Sequence, residues 1–242
     1  MENTDFIAAA NRFGLSPTPT HISQLERYLA LLLIWNEQLN LTAIREPEEI
    51  WVRHFLDALS CHLVTGNLSG LRLVDVGTGA GFPGIPLKIV FPDMHLTLVE
   101  SVAKKTHFLR TVIEDLHLLG VTILTERAEV LGQQAEHREQ YDWVVARAVA
   151  SLPILLEYLL PLCRVNGHVL AQKGENVQAE LEASRSALVV LGGEIQDRQE
   201  VWLPARPQAH SLVTIHKTRP TPSAYPRRPG IPSKRPLSNL PQ

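Results

Sequence analysis

The run Leu73-Val74-Asp75-Val76-Gly77-Thr78-Gly79-Ala80-Gly81-Phe82-Pro83-Gly84 constrains this chain more than any other stretch. Apolar residues around one Asp lead straight into a turn in which four glycines fall within eight positions. Such a pattern predicts a buried strand followed by a tight turn without side chains, where backbone N–H groups can approach a ligand closely. A helix opening near Pro83 would point its positive end at the same place. The turn is therefore expected to hold a nucleotide-like cofactor.

Two spacings compete. Gly79-x-Gly81-x-x-Gly84 fits a dinucleotide fingerprint, with Glu100 at the distance of a ribose-binding acid. Gly77-x-Gly79-x-Gly81, directly after an Asp-bearing strand, fits the first motif of methyltransferases that use S-adenosylmethionine (SAM). Asp75 stands one residue before the expected strand end, where its carboxylate can organise a loop that holds a zwitterionic amino-acid moiety. Pro83 and Pro86 each remove an N–H donor, which suits a pyrophosphate cradle poorly. The balance favours SAM, with a dinucleotide or a purely structural turn as the alternatives.

Alternation of apolar strands and helices from Leu71 onward predicts an α/β fold of the Rossmann-like class I SAM-dependent methyltransferase type, with a mostly parallel seven-stranded sheet. Strands are expected at 71–76, 95–100, 121–125, 142–147 and 165–171, then near 194–203 and 210–217. Helices are expected at about 84–91, 103–119, 128–136, 151–161 and 175–191. Ahead of the sheet, Ile22, Leu25, Leu29, Leu32, Leu33, Asn36 and Leu39 recur at helical spacing, with Ser23-x-x-Glu26 as a capping box. A second helix is expected over about 48–64. The chain thus divides into an N-terminal helical region (1–70), a SAM-binding domain (71–217) and a basic, Pro-rich arm (218–242), forming one compact domain overall.

Composition narrows the classes. The chain has 242 residues, 45% of them hydrophobic, enough to bury a full core. Its apolar runs are too short to span a membrane, and no signal peptide is visible, so a cytoplasmic protein is expected. Cys61 and Cys163 belong to no Cys/His cluster and read as reduced core residues; no metal site is expected. The net charge of −2 hides an asymmetry: residues 201–242 hold seven Lys or Arg and no acid, leaving −9 for the first 200 residues. A basic end on an acidic body suggests a polyanionic partner, although a solubilising tail would look the same.

Ligands of open α/β sheets bind beyond the carboxyl ends of the strands. That rule selects Gly77, Gly79 and Gly81 after strand one, and Glu100 after strand two as acceptor for both ribose hydroxyls. Ala128 and Glu129 after strand three would flank the adenine. Arg147 and Lys173 end strands four and five, where a charge closing a buried run calls for a partner. Lys104 and Lys105 open the helix after strand two against its dipole, which hints at a polyanion. Glu100 or Glu129 as plain helix-opening acids, Arg147 in a structural ion pair, and solvated lysines are the competing readings.

The chain resembles, over nearly its whole length, the bacterial small-subunit ribosomal RNA guanine-N7 methyltransferases, the RsmG (GidB) family. The matching segments are Trp35-Asn36-x-x-x-Asn40-Leu41-Thr42, His54-Phe55-Leu56-Asp57, Val74 to Pro86, Arg147-Ala148, Lys173-Gly174 and Arg228-x-x-Gly230-x-Pro232-x-Lys234-x-Pro236-Leu237. Ala58 departs from the pattern, in which a Ser commonly follows the Asp. The resemblance implies SAM contacts from Gly77, Phe82, Glu100, Ser101, Val102, Ala128, Glu129 and Arg147. It also implies a 16S rRNA substrate, methylated at the guanine of nucleotide 527.

Guanine N7 carries an in-plane lone pair at neutral pH, so no general base is needed and no proton-transfer residue is assigned. Arg147 and Lys173 are expected to position RNA or the base, while Lys104, Lys105, Arg227, Arg228, Lys234 and Arg235 are expected to meet phosphates. A monomer is expected. A SAM methyltransferase of a small molecule or protein, and a non-enzymatic RNA-binding module, are the readings to be discriminated by SAM binding and by activity on ribosomal particles.

Overall fold

The computed structural model describes residues 3–174 and 177–239. Seven strands form one sheet: β1 (Arg72–Val76), β2 (His95–Val99), β3 (Val121–Leu124), β4 (Tyr141–Arg147), β5 (Cys163–Lys173), β6 (Gly193–Val201) and β7 (His210–Lys217). Their order is β3-β2-β1-β4-β5-β7-β6, with β7 inserted antiparallel between β5 and β6 and every other neighbouring pair among β1–β5 parallel. The chain reverses direction across the sheet between β1 and its two neighbours, β2 and β4. That is the switch point where an α/β sheet leaves a crevice at its carboxyl edge.

Each face of the sheet has its own core, and strand periodicity assigns the residues. Leu73, Leu96, Leu98, Trp143, Val145 and Leu170 pack under the N-terminal helices and the helices Gly84–Val90 and Ala103–Asp115. Val74, Val76, Val144, Ala146, Val169 and Ala171 pack on the opposite side, against the helix Leu152–Leu159 and the pair Val177–Ala183 and Arg185–Leu191. Cys61 and Cys163 are both buried and unpaired, as read from the sequence. No helix among the described residues is long and apolar enough to cross a membrane.

Several boundaries differ from the sequence reading, each for a local reason. The long N-terminal helix starts at Pro19 rather than beside Ser23: Thr18 caps it, accepting from His21 N at 3.3 Å while the His21 ring accepts from Thr18 N. A further helix precedes it at Asn3–Asn11. The expected helix over 48–64 is interrupted: it runs α-helical through Pro47–Ile50, widens to a π-helical turn at Trp51–Leu56, and breaks after Asp57–Leu59. His54 and Asp57, three residues apart, both reach Arg147 of β4. Helices expected to 119 and 136 stop at Asp115 and Leu131. Ser184 divides the segment expected as one helix over 175–191, whose first two residues lie outside the described ones.

The arm is a docked segment. Arg138 donates to the carbonyls of Thr221, Pro222 and Tyr225, and Gln133 to those of Ser223 and Pro226. Arg227 then grips the fully buried Glu157 with Nε and Nη2 at 2.8 and 2.7 Å. A helical turn at Ile231–Lys234 follows, and Leu237 returns to the core. The arm's last three residues, 240–242, lie outside the described ones. Arg227 thus serves the fold, whereas Arg228, Lys234 and Arg235 are exposed.

Removing one partner of a buried ion pair leaves an uncompensated charge. Arg227→Ala is therefore expected to destabilise the protein by about 3–5 kcal/mol in urea denaturation. Arg228→Ala, one position away and exposed, should change it by no more than about 0.5 kcal/mol. Equal effects of the two substitutions would contradict the docked arrangement.

Candidate functional site

Asp75 is the buried pivot of the glycine turn. It faces the side of the sheet where the helix Gly84–Val90 begins, and its Oδ2 accepts from Thr78 Oγ1 at 2.7 Å and from Gly84 N at 2.8 Å. Gly84 has to lack a side chain, because a Cβ there would lie 2.9 Å from Asp75 Oδ2 and 2.8 Å from Leu98. Oδ1 of Asp75 is buried without a hydrogen-bond partner. Desolvation accordingly raises the Asp75 pKa to about 6, although Thr78 and Gly84 pull the other way.

Glu100 ties the second strand end to the turn. One carboxylate oxygen accepts from Gly79 N at 3.2 Å and the other from Val102 N at 2.9 Å. Gly79 has φ +60°, and a Cβ there would meet only Gly77 O, at 4.0 Å, so it is the backbone conformation rather than crowding that calls for glycine.

A cavity of about 280 Å³ opens at these strand ends. Of the residues named from the sequence, Gly77, Glu100, Ser101, Ala128 and Glu129 line it. Gly79, Gly81, Phe82, Val102 and Arg147 lie outside its lining. Sequence reasoning missed Val149, Ala150, Ile154, Tyr158, Glu126, Arg127 and Ser233. Ile154 and Tyr158 stand four apart on one helix face, a legible signal; nothing local marks Ser233. A larger cavity of about 540 Å³ lies among residues 5–12, 48–53 and 204–206, away from the strand ends. Backbone donors, buried carboxylates and an apolar wall at the switch point suit a nucleoside-bearing cofactor, so the smaller cavity is the candidate site.

Beside it, Arg147 is the hub of a second cluster. Its Nη1 donates to Asp57 Oδ2 at 2.8 Å and to Arg53 O at 3.2 Å, and its Nη2 donates to His54 Nδ1 at 3.2 Å. The guanidinium also lies over the Phe82 ring, 5.0 Å from its centre, and His54 stacks on that ring at 4.6 Å. Arg147 can only donate, so His54 Nδ1 accepts and the proton sits on Nε2, which donates to Thr42 Oγ1 at 2.7 Å. Burial and the Arg147 charge push the His54 pKa down to about 3, keeping the ring neutral. Thr42 is fixed in turn by Asn36, whose side chain bonds both its N–H and its carbonyl. Asp57 also meets His210 at 3.4 Å and Gln172. The hydroxyl expected at position 58 is replaced by a fully buried Ala, while Ser60 Oγ donates to Asp57 O at 2.6 Å.

Lys173 pairs with Glu180 at 2.7 Å and donates to Ala150 O at 2.8 Å; Glu180 also accepts from Leu152 N. Arg147 and Lys173 therefore hold the two ends of the loop 148–151, in which Ala148 has φ +56° and Val149 and Ala150 line the cavity. Lys104 is exposed and Lys105 half-buried at the start of the helix Ala103–Asp115.

A carboxyl whose native pKa lies above its unfolded value binds more protons folded than unfolded between the two values. Stability from Asp75 is therefore present below pH about 4 and lost as pH rises through about 6. Asp75→Asn keeps a side-chain carbonyl for Thr78 and Gly84, so the difference in urea stability between variant and wild type is expected to move in the variant's favour by roughly 1.4 kcal/mol or more from pH 4 to 7. A constant difference across that range would show that Asp75 ionises normally.

Comparison with known proteins places this geometry. Residues 21–206 match the family model described as GidB, rRNA small subunit methyltransferase G. A protein of Alkaliphilus metalliredigens named ribosomal RNA small subunit methyltransferase G is 49% identical, covering 93% of this chain and 94% of that protein. One of the same name from Roseiflexus castenholzii is 48% identical, covering 96% and 99%. Among solved structures, the magnesium protoporphyrin IX methyltransferase of Synechocystis with bound SAM has a TM-score of 0.57 at 16% identity, covering 79% of this chain and 97% of that one. Aeropyrum pernix fibrillarin with bound SAM gives 0.51 at 18%, covering 65% and 72%. These likenesses bear on the fold alone, which is the Rossmann-like class I SAM-dependent methyltransferase fold expected from the sequence; S-adenosylmethionine is the cofactor to which fold and family point. By its family model and by near-full-length identity to these relatives, the chain belongs to the rRNA small subunit methyltransferase G family.

Proposed function

We propose that this protein is a SAM-dependent rRNA methyltransferase that transfers the methyl group to N7 of a guanine in 16S rRNA, at nucleotide 527, acting as a monomer in the cytoplasm. The observation that carries the reading is the cavity at the switch point, where Gly77 and the buried Glu100 and Glu129 converge beside a cluster built on Arg147. Gly77, Glu100, Ser101, Ala128 and Glu129 would hold the cofactor, with Val149, Ile154 and Tyr158 as the apolar wall. Bound SAM supplies an electrophilic methyl on a sulfonium.

The chain's own residues orient and exclude water. Glu100 fixes the bare backbone of Gly79 by accepting its N–H, while Lys173 and Arg147 fix the loop 148–151. The neutral His54 points its Nδ1 at Arg147 and its Nε2 at Thr42, so both ring nitrogens are engaged within the cluster. An in-plane N7 lone pair requires no base, and rate enhancement then comes from in-line positioning in a desolvated slot. Exposed Arg228, Lys234, Arg235 and Lys104 would meet RNA phosphates, with the half-buried Lys105 beside them. Arg227 was expected among them from the sequence, and its guanidinium is engaged by Glu157.

The test is incubation with methyl-labelled SAM and small ribosomal subunits lacking the modification, followed by borohydride–aniline cleavage, which cuts at 7-methylguanine. A single cut at nucleotide 527 is expected; label without a cut would overturn the N7 assignment, and label on a small molecule or protein alone would overturn the RNA reading. Glu100→Ala is expected to weaken SAM binding about 10- to 100-fold, equivalent to the ~1.5–3 kcal/mol of one charged hydrogen bond. Gly79→Val, forcing a β-branched residue to φ near +60°, should abolish SAM binding with a modest loss of thermal stability. Normal SAM affinity, measured by calorimetry, would remove Glu100 from the cofactor site in the first variant and the glycine turn from it in the second.

A further inference from the structure

The arm reaches the cofactor cavity. Its helical turn Ile231–Lys234 presents Ser233 to the cavity, opposite the Gly77 end. Gly230 N donates to Oε1 of Glu129 at 3.1 Å, and Glu129 is itself a buried part of the cavity wall. Ser233 Oγ donates to Gly230 O at 3.1 Å, and Tyr158 lines the same cavity as Ser233. Thus the carboxylate that the sequence assigned to the cofactor's adenine is engaged by the arm. On one side the turn is anchored by Arg227 on Glu157, on the other by Leu237 in the core. Between those anchors Arg228, Lys234 and Arg235 are exposed.

We propose that this segment couples the two ligands: the arm is one wall of the cofactor cavity and, on its outer side, a seat for RNA phosphates, with Glu129 as the positioning residue that latches it. The inference rests on the methyltransferase reading above. A four-residue turn is only about 6 Å long, so Ser233 and its cationic neighbours move as one body. Two arrangements differ in named contacts: seated, with Gly230 on Glu129 and Ser233 in the cavity wall, or lifted, with both lost. A cofactor filling the cavity gains Ser233 as wall only when the arm is seated. Phosphates bridging Arg228, Lys234 and Arg235 favour the arrangement in which the anchored turn holds these cations together. Both ligands therefore bias the same equilibrium in the same direction. Linkage then makes the effect reciprocal: RNA tightens the cofactor by the factor with which the cofactor tightens RNA, typically about 5- to 150-fold. The hydrogen bond to a carboxylate is charge-assisted, which makes Glu129 the sensitive position.

The experiment measures the dissociation constant of S-adenosylhomocysteine, which carries no methyl to transfer, with and without saturating unmethylated small ribosomal subunits. The subunits are expected to lower it at least about 5-fold, and S-adenosylhomocysteine to tighten subunit binding by the same factor. In Glu129→Gln the factor should fall toward one. Ser233→Ala, at an exposed position where folding is not at stake, should reduce it as well. A wild-type protein that methylates subunits but shows a factor of one overturns the coupling and leaves the function standing; so does an undiminished factor in both variants. A protein that binds S-adenosylhomocysteine but neither binds nor methylates subunits overturns the function and this inference with it.

Discussion

The ion pair between Arg147 and Asp57 joins segments that would otherwise have no reason to meet. Arg147 closes β4, whereas Asp57 belongs to the N-terminal helical region, ninety residues earlier. Through it the sheet's carboxyl edge acquires Thr42, His54 and, by way of Gln172 and His210, the ends of β5 and β7. A largely buried ion pair contributes little net stability once desolvation is counted, yet losing one partner is costly. Such a pair is better understood as a device of registry. His54, within the π-helical turn, and Asp57, directly after it, meet the same guanidinium. The pair also sets the Arg147 cation and the His54 ring side by side against the Phe82 ring, directly after the glycine turn.

The same logic governs the arm. Its basic, acid-free sequence reads as a tail drawn to a polyanion, yet acids elsewhere in the chain determine its path. Glu157, Glu139 and Glu129 receive Arg227, Thr221 N and Gly230 N in succession. The −9 of the first 200 residues and the +7 of the last 42 are therefore partly complementary within the molecule. What remains outward is a smaller set of cations, Arg228, Lys234 and Arg235 among them.

The strands, the position of the turn and the placing of Glu100 at the end of β2 were legible because they follow from strand periodicity and the absence of side chains at fixed spacings. Five of the ten residues named for the cofactor line the cavity, all of them in the segments that follow β1, β2 and β3. The remainder lie outside its lining. Phe82 and Arg147 face the N-terminal helices, and only knowledge of what Asp57 and His54 do in space could have revealed that. Helix boundaries were misjudged where a side chain overrides the local pattern, as Thr18 and His21 do at the long helix. Ser233 could not be read at all, because it reaches the cavity through a docked arm whose course is set by residues 70 to 101 positions away.

A nitrogen nucleophile that brings its own lone pair changes what a protein has to supply. Proton transfer would call for a group that titrates near neutrality and faces the substrate. In the Arg147 cluster the opposite holds: His54 is pushed down to a pKa of about 3, with both ring nitrogens engaged. Its role there is mechanical. It relays the position of Thr42, itself bonded twice by Asn36, to the cation that closes β4. Fixed dipoles and charges that need no rearrangement during the reaction are the means by which a site of this kind would lower a barrier. The motifs Asn36 to Thr42, His54 to Asp57 and Arg147-Ala148 look unrelated along the sequence. In the folded chain they form a single hydrogen-bonded path that ends beside the loop 148–151, whose Val149 and Ala150 line the cavity at the strand ends.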